Sequence, residues 1–411
     1  MSESSLAAGS SSRPLTVLCL ASYFKGIEFL VESKRQGCRT LLLTSLSLKG
    51  ANWPRESIDD IFYVPDEDKS WKMHDVLLGT SHLAKSEIID RIVPLDDFDV
   101  EIAATLREHL RVPGMGDTTA RYFRDKLAMR VQARDAGLPV PEFIHVLNHK
   151  LLHEFTQRVQ PPWVLKPRSM AGSIGVKKVL NADELWSHVD RLGDQQSYYL
   201  LEQYVPGDIF HVDTITYEKE LLFSIASKYG RPPMDVSHDG DIFTTRTLAA
   251  GSADEVALRE LNQKVLQAFG MLRGVSHSEF IQGRDGTLYF LETAARVGGA
   301  HISDLVEAAT GVNLWAEWAK LEIAGGKTAY HVVTARQDFA GLLISLARQE
   351  HPDTSAYTDQ EIVWRMNKEH HVGLIVRSND SQRIEQLIVQ YAQRFKHDFF
   401  ASAPPRDKPS S

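Results

Sequence analysis

The chain has 411 residues, with 54 acidic against 46 basic side chains and a formal net charge of -8. Hydrophobic residues make up 43% and charged residues 24%, which excludes disorder, collagen-like repeats and coiled-coil fibres. The acidic balance argues against binding a polyanion such as DNA, and the length predicts about two to four domains.

The opening MSESSLAAGSSSRP is Ser-rich and lacks the apolar core of a secretion signal. Residues 1–14 therefore read as a disordered tail, as does the Pro/Ser-rich end at 401–411. No apolar run approaches bilayer length. Cys19 and Cys38 sit in strand-like apolar surroundings and read as buried thiols, not a bridge. A cytoplasmic protein without membrane or nucleic-acid partners is expected.

From LTVLCLAS the chain alternates strand and helix: FKGIEFLVESKRQGC, RTLLLTS, DDIFYVP, the helical stretch near His74–Leu83 and DRIVPLDD. This rhythm predicts a parallel sheet in a Rossmann-like domain over 15–112. ASYFKG holds one glycine where a dinucleotide fingerprint needs three, so NAD is not expected. A helix is predicted from an N-cap at Asp117, running through RDKLAMR to a stop at Gly137. Then WVLKPRSMAGSIGVKKV reads strand, Gly-bearing loop, strand. YYLLEQYVPGDIFHVDTITYEKELLFSIAS reads as antiparallel strands, and HSEFIQGRDGTLYFLET as a hairpin. The fold class is α/β and α+β, with a main domain over 113–330, a sub-lobe near 150–205 and a small C-terminal α+β region over 331–400.

Four groups could carry chemistry. In the loop K-P-R-S-M-A-G-S-I-G, small residues from Ala171 through Gly172 and Ser173 to Gly175 let backbone N–H groups approach phosphate, and Lys166 supplies charge. The plain alternative is a glycine hairpin beside a surface lysine. Glu279 and Glu292 fall almost opposite each other across one hairpin with apolar neighbours. Facing carboxylates repel, and a cation between them resolves this; hard oxygen donors suit Mg²⁺. Arg296, four residues on and before a Gly pair, suits a phosphoryl or carboxylate oxygen, or an ion pair with one of those glutamates. Glu202-Gln203-Tyr204-Val205 is an extended segment able to meet a flat base. His277 alternates with Glu279 and shares its face; it and His301 are candidate substrate contacts, with a structural histidine as the alternative. His238 lies in a Gly/Pro/Asp-rich loop that could cover a substrate.

In order, RDKLAMR…GLPVPEF, WVLKPRSMAGSIGV, LEQYVPG, HSEF and LETAARVGG resemble the ATP-grasp superfamily, in its amino-acid-ligase-like branch of carboxylate–amine ligases. The resemblance covers about residues 15 to 400. It implies a pre-ATP-grasp N-terminal domain followed by a two-lobed ATP-grasp fold. It implies ATP with Mg²⁺, or Mn²⁺ in its place, and small-molecule carboxylate and amine substrates, in a chain often dimeric. By resemblance, Lys126 and Lys166 contact phosphates, and Ala171, Gly172, Ser173 and Gly175 form the lid over them. Glu202, Tyr204 and Val205 meet adenine and ribose. Glu279 and Glu292 hold Mg²⁺, and Arg296 with Lys166 serves catalysis. The chain departs from the family at Ala294, where asparagine is usual, and at Ile209, where an acidic residue is usual; His211 is then a substitute nucleotide contact. Biotin-carboxylase-like or purine-pathway chemistry, and a degenerate ATP-binding regulatory module, are the competing readings.

Overall fold

The computed structural model describes residues 13–67 and 70–402, so both expected tails fall almost wholly outside the described residues. The side chain of His238 also lies outside them. Among the described residues no helix is long and apolar enough to cross a membrane.

The N-terminal sheet has four parallel strands in the order β3-β2-β1-β4: β1 (Thr16–Ala21), β2 (Arg39–Ser45), β3 (Asp60–Val64) and β4 (Arg91–Pro94). Every residue of β1 is buried. Val17, Cys19 and Ala21 enter one core and Leu18 and Leu20 another. A strand covered on both faces reads as a continuous apolar run, not an alternating one. Helices α1 (Ile27–Arg35), α2 (Met73–Leu83) and α3 (Val100–Leu110) complete the layers. Cys19 and Cys38 are buried free thiols.

The helix expected from Asp117 is two. α4 (Asp117–Arg121) stops after one turn, and α5 (Lys126–Asp135) starts afresh. The working N-cap is Asp125, whose carboxylate accepts from Leu127 N and Ala128 N at 3.0 and 3.4 Å. The break places Lys126 at the first position of a helix instead of mid-helix. Gly137 does end α5, at φ 73°.

Next comes a small antiparallel sheet, order β5-β8-β6-β7: β5 (Phe143–His145), β6 (Trp163–Pro167), β7 (Lys177–Val179) and β8 (Tyr199–Gln203). It packs Trp163, Leu165 and Leu201 against Leu152 and Phe155 of α6 (His149–Arg158) and Leu185 and Val189 of α7 (Ala182–Leu192). Asn148 and Asn181 cap those helices.

The body is an eight-stranded sheet, order β13-β12-β9-β10-β11-β14-β16-β15. Its strands are β9 (Gly207–Tyr217), β10 (Glu220–Tyr229), β11 (Phe243–Thr247), β12 (Gly274–Gly283), β13 (Leu288–Ala294), β14 (Phe339–Leu346), β15 (Ile362–Arg365) and β16 (His371–Ser378). Strands from the expected C-terminal region thus do not stand apart: β14 pairs β11 and extends the same sheet. Helices α8 (Pro233–Asp239), α9 (Ala253–Ala268), α10 (Ile302–Thr310), α11 (Leu314–Ala324) and α12 (Ser381–Asp398) complete the chain. Part of the predicted cover loop after Gly230 forms α8.

β9 starts at a glycine for a steric reason. A Cβ on Gly207 would lie 1.9 Å from the Gln282 carbonyl oxygen of β12. Gly207→Ala should therefore push these strands apart where the small sheet meets the large one, costing about 1–3 kcal/mol as an overpacked site. A lowered thermal midpoint, with hydrogen exchange quickened at Gln282 and Gly283, is the expected result.

Candidate active site

The small sheet closes over one end of the large sheet, and a cleft runs between them. Its walls include Lys126, Lys166, Gly172, Ser173, Tyr204 and Val205 on one side and Ile209, Glu279, Ile281 and Glu292 on the other. Pro232, Pro233 and Met234, at the start of α8, close a third side.

Glu279 and Glu292 are direct cross-strand partners on β12 and β13, beside a bulge between Glu279 and Phe280. Their side chains are 19% and 33% exposed. Tyr229 donates its hydroxyl to Glu279 Oε1 at 2.8 Å, and the Lys126 ammonium lies 3.0 Å from Glu292 Oε2. Burial pushes the Glu292 pKa up, but Lys126 and Lys166 outweigh it and hold the carboxyl below its usual range. Lys126 also donates to the Met170 carbonyl at 2.6 Å, which ties α5 to the glycine loop.

Lys166 is buried on β6 and lies 2.7 Å from Glu202 Oε2. Arg130 reaches the other oxygen of Glu202 at 2.6 Å. Burial pushes the Lys166 ammonium below the usual lysine range, against the pull of Glu202. Burial acts upward on Glu202, and Arg130 and Lys166 together overcome it. Sequence reasoning missed Arg130, yet it stands four residues after Lys126 in α5, one turn along the same face.

The loop between β6 and β7 has left-handed backbone at Gly172 (67°), Ser173 (60°) and Gly175 (71°). Such turns direct successive N–H groups into a concavity that suits anions. Gly172 and Ser173 line the cleft wall, whereas Ala171 and Gly175 do not. Tyr204 sits beneath Lys178, whose ammonium is 3.8 Å from the ring centroid.

Residues 159–304 match the ATP-grasp domain family. Over this stretch the chain is similar to an ATP-grasp domain. It is 27% identical over 263 residues to an L-arginine-specific L-amino acid ligase from Bacillus subtilis, spanning 62% of each chain. The L-amino acid ligase from Bacillus licheniformis has the same fold, with TM-score 0.69 and 17% identity over 96% of this chain and 100% of that one. N5-carboxyaminoimidazole synthetase from Staphylococcus aureus, solved as an ADP complex, superposes with TM-score 0.68 at 14% identity, covering 92% and 97%.

Two expected residues lie away from the cleft. His211 does not reach the cleft: it is fully buried, with Nδ1 donating to Asp213 Oδ2 (2.7 Å) and Nε2 bonded to Thr245 Oγ1 (2.8 Å). Both ring nitrogens are spent, so it is not a nucleotide contact. His301 stands at the N-cap position of α10, pairs with Asp304 at 3.0 Å and lies 4.6 Å, ring to ring and tilted, from Trp364 of β15; it is not in the cleft lining. Glu202, in contrast, lines the cleft, with its carboxylate paired to Arg130 and Lys166. His277 is nearer the chemistry. It donates to Asp213 Oδ1 at 2.9 Å, and its Nε2 is 3.7 Å from Glu279 Oε1. Burial disfavours its cation, but Asp213 and Glu279 raise its pKa to about 9. Ala294 is its cross-strand partner.

Arg296 pairs with neither glutamate. Its guanidinium donates to Asp97 Oδ2 at 2.9 Å, reaching back to the turn after β4 in the N-terminal domain. Burial would raise the Asp97 pKa, but Arg296 and Arg124 hold it far below the carboxylate range. Nothing in the local sequence marked this partner, which lies 199 residues away. In the same turn Asp99 is fully buried beside Asp96, and burial followed by that charge raises its pKa to about 7.

Two measurements follow. Glu202→Gln leaves Arg130 and Lys166 as neighbouring buried cations and should cost about 3–5 kcal/mol in denaturant unfolding. Asp99 has a folded pKa above its unfolded one, so its stabilising contribution is complete below about pH 3.8 and disappears as pH rises through about 7. Asp99→Asn should therefore melt higher than the parent at pH 8, with the gap closing toward pH 5.

Proposed function

We propose that the chain is an ATP-dependent ligase that joins a carboxylate to an amine through an acyl-phosphate, releasing ADP and phosphate. The observation that carries it is the pairing of Glu279 and Glu292 on one ladder, facing Lys126 and Lys166 beneath the small-residue loop. Apolar Val205, Ile209, Ile281 and Leu291 offer a slot for the base, beside Tyr204. The lysines and the N–H groups of Gly172 and Ser173 take the phosphates.

Two opposed carboxylates, one of them held ionised, are a hard-oxygen donor set that fits Mg²⁺. Glu279 and Glu292 would hold it, and it would neutralise phosphate charge during transfer. The chain's own residues do the rest. Lys126 and Lys166 counter charge on the transferring group as a substrate carboxylate oxygen bonds to the γ-phosphorus and the bond to ADP breaks. Arg296, braced by Asp97, stabilises the oxyanion formed when the amine attacks the acyl carbon; the amine's proton goes to solvent and phosphate leaves. The loop and α8 exclude water, which would otherwise hydrolyse the acyl-phosphate. Small amino acids or peptides are the proposed substrate class.

With Mg-ATP and a panel of amino acids, ADP and phosphate should appear together, and hydroxylamine should trap a hydroxamate. Glu292→Ala should lose at least about 100-fold in turnover. Unchanged turnover in that variant would refute the site. Ala294, lacking an oxygen donor beside Glu292, favours the alternative of a regulatory ATP-binding module. Calorimetric ATP binding without ADP formation from any acceptor would select it.

A further inference from the structure

A second cavity, of about 320 Å³, lies at the seam between the N-terminal sheet and the large sheet. It shares no wall residue with the nucleotide cleft. Its walls come from β4, α3, the turn between β9 and β10, the start of β12 and α11. Four basic residues line it, Arg91, Arg107, Lys219 and Arg273, against Glu322 as the one acidic residue of the wall.

Arg91 and Arg107 are more than nine-tenths buried, at 5% and 8% exposure. Among the described residues neither guanidinium is bonded to a carboxylate. Arg91 donates to the carbonyls of Glu322 (2.7 Å) and Asp90 (2.8 Å). Arg107 donates to the Ile92 carbonyl at 2.9 and 2.6 Å and to that of Met115 at 3.1 Å. Carbonyl dipoles orient a guanidinium but leave its charge whole, and buried charges ordinarily have a counter-charge. The Glu322 carboxylate accepts from the Trp318 indole at 3.1 Å, and Arg273 lies 3.0 Å from Glu218. The balance in the cavity stays positive.

The rim carries a second, independent sign. β9 turns into β10 through Glu218 and Lys219, both left-handed, at φ 51° and 69°. Tight hairpins usually place Asn-Gly or Asp-Gly there. Two larger charged residues accept the strain, which persists where the surroundings over-determine it, often at ligand sites. The turn sets Lys219 over the cavity, and its ammonium has no partner among the described residues, while Glu218 steadies Arg273. Met271 and Trp318 supply an apolar floor.

We propose that this cavity binds a small organic or inorganic dianion, with carboxylate or phosphate oxygens on Arg91, Arg107, Lys219 and Arg273 and any short apolar body against Trp318. Planar guanidinium forks suit both oxyanions, and the volume is that of a small-molecule site. The proposal goes beyond the ligase reading and stands without it.

The test is calorimetry on the full chain with succinate and with inorganic phosphate, titrated separately. Lys166→Gln weakens any anion site in the nucleotide cleft; Lys219→Ala with Arg273→Gln weakens this one at its rim. Saturable binding of either probe is expected in the parent and in Lys166→Gln, at least about tenfold weaker in the rim variant. The probe that binds identifies the head group. If the rim variant melts low, Lys219→Glu alone is compared in the same way. No saturable binding of either probe up to about 10 mM overturns the proposal. So does binding lost in Lys166→Gln and kept in the rim variant, which would place the anion in the cleft.

Discussion

A lysine ammonium can be kept in a protein wall only if a fixed counter-charge stands beside it. The cleft is organised by that constraint. Glu202 of β8 sits between Lys166 of β6 and Arg130 of α5, and Glu292 of β13 faces Lys126 of the same helix. These ion pairs tie the small sheet to α5, and α5 to the edge of the large sheet. Loss of Glu202 leaves two neighbouring cations without their carboxylate, and loss of Glu292 leaves Lys126 without its own. The amines are therefore held at fixed positions along the cleft before any anion arrives, which is what electrostatic preorganisation requires.

Much of this was legible in the sequence, for reasons that can be traced. The buried strand β1 reads as an unbroken apolar run because both faces are covered. Glu279 and Glu292 could be placed opposite each other because a hairpin with a short turn fixes its own register. Lys166 and the small-residue loop were visible as a strand followed by a glycine-bearing loop. In contrast, Asp97 and Arg296 meet across 199 residues, and no local pattern encodes that contact. His211 was expected to stand in for the acidic residue missing at Ile209, but it is fully buried, and Asp213 and Thr245 claim its nitrogens. The break before Lys126 was hidden because a stronger cap, Asp125, lay inside a stretch with continuous helical character.

His277 and Ala294 belong together. They are cross-strand partners on the ladder that also pairs Glu279 with Glu292. A small residue at 294 leaves room opposite the imidazole, and Asp213 anchors that ring within 3.7 Å of Glu279. A histidine held this way adds positive charge behind the carboxylates. That is a different electrostatic setting from one with an asparagine oxygen in the same plane.

The pairing of β14 with β11 makes the last part of the chain structural glue for the middle. Cutting the chain after α11 would strip hydrogen-bond partners from β11 and leave an open strand flank, a template for sticking to other chains. A shortened fragment holding all the residues of the cleft would thus be poorly behaved in solution, and the intact polypeptide is the smallest sensible unit for biochemistry.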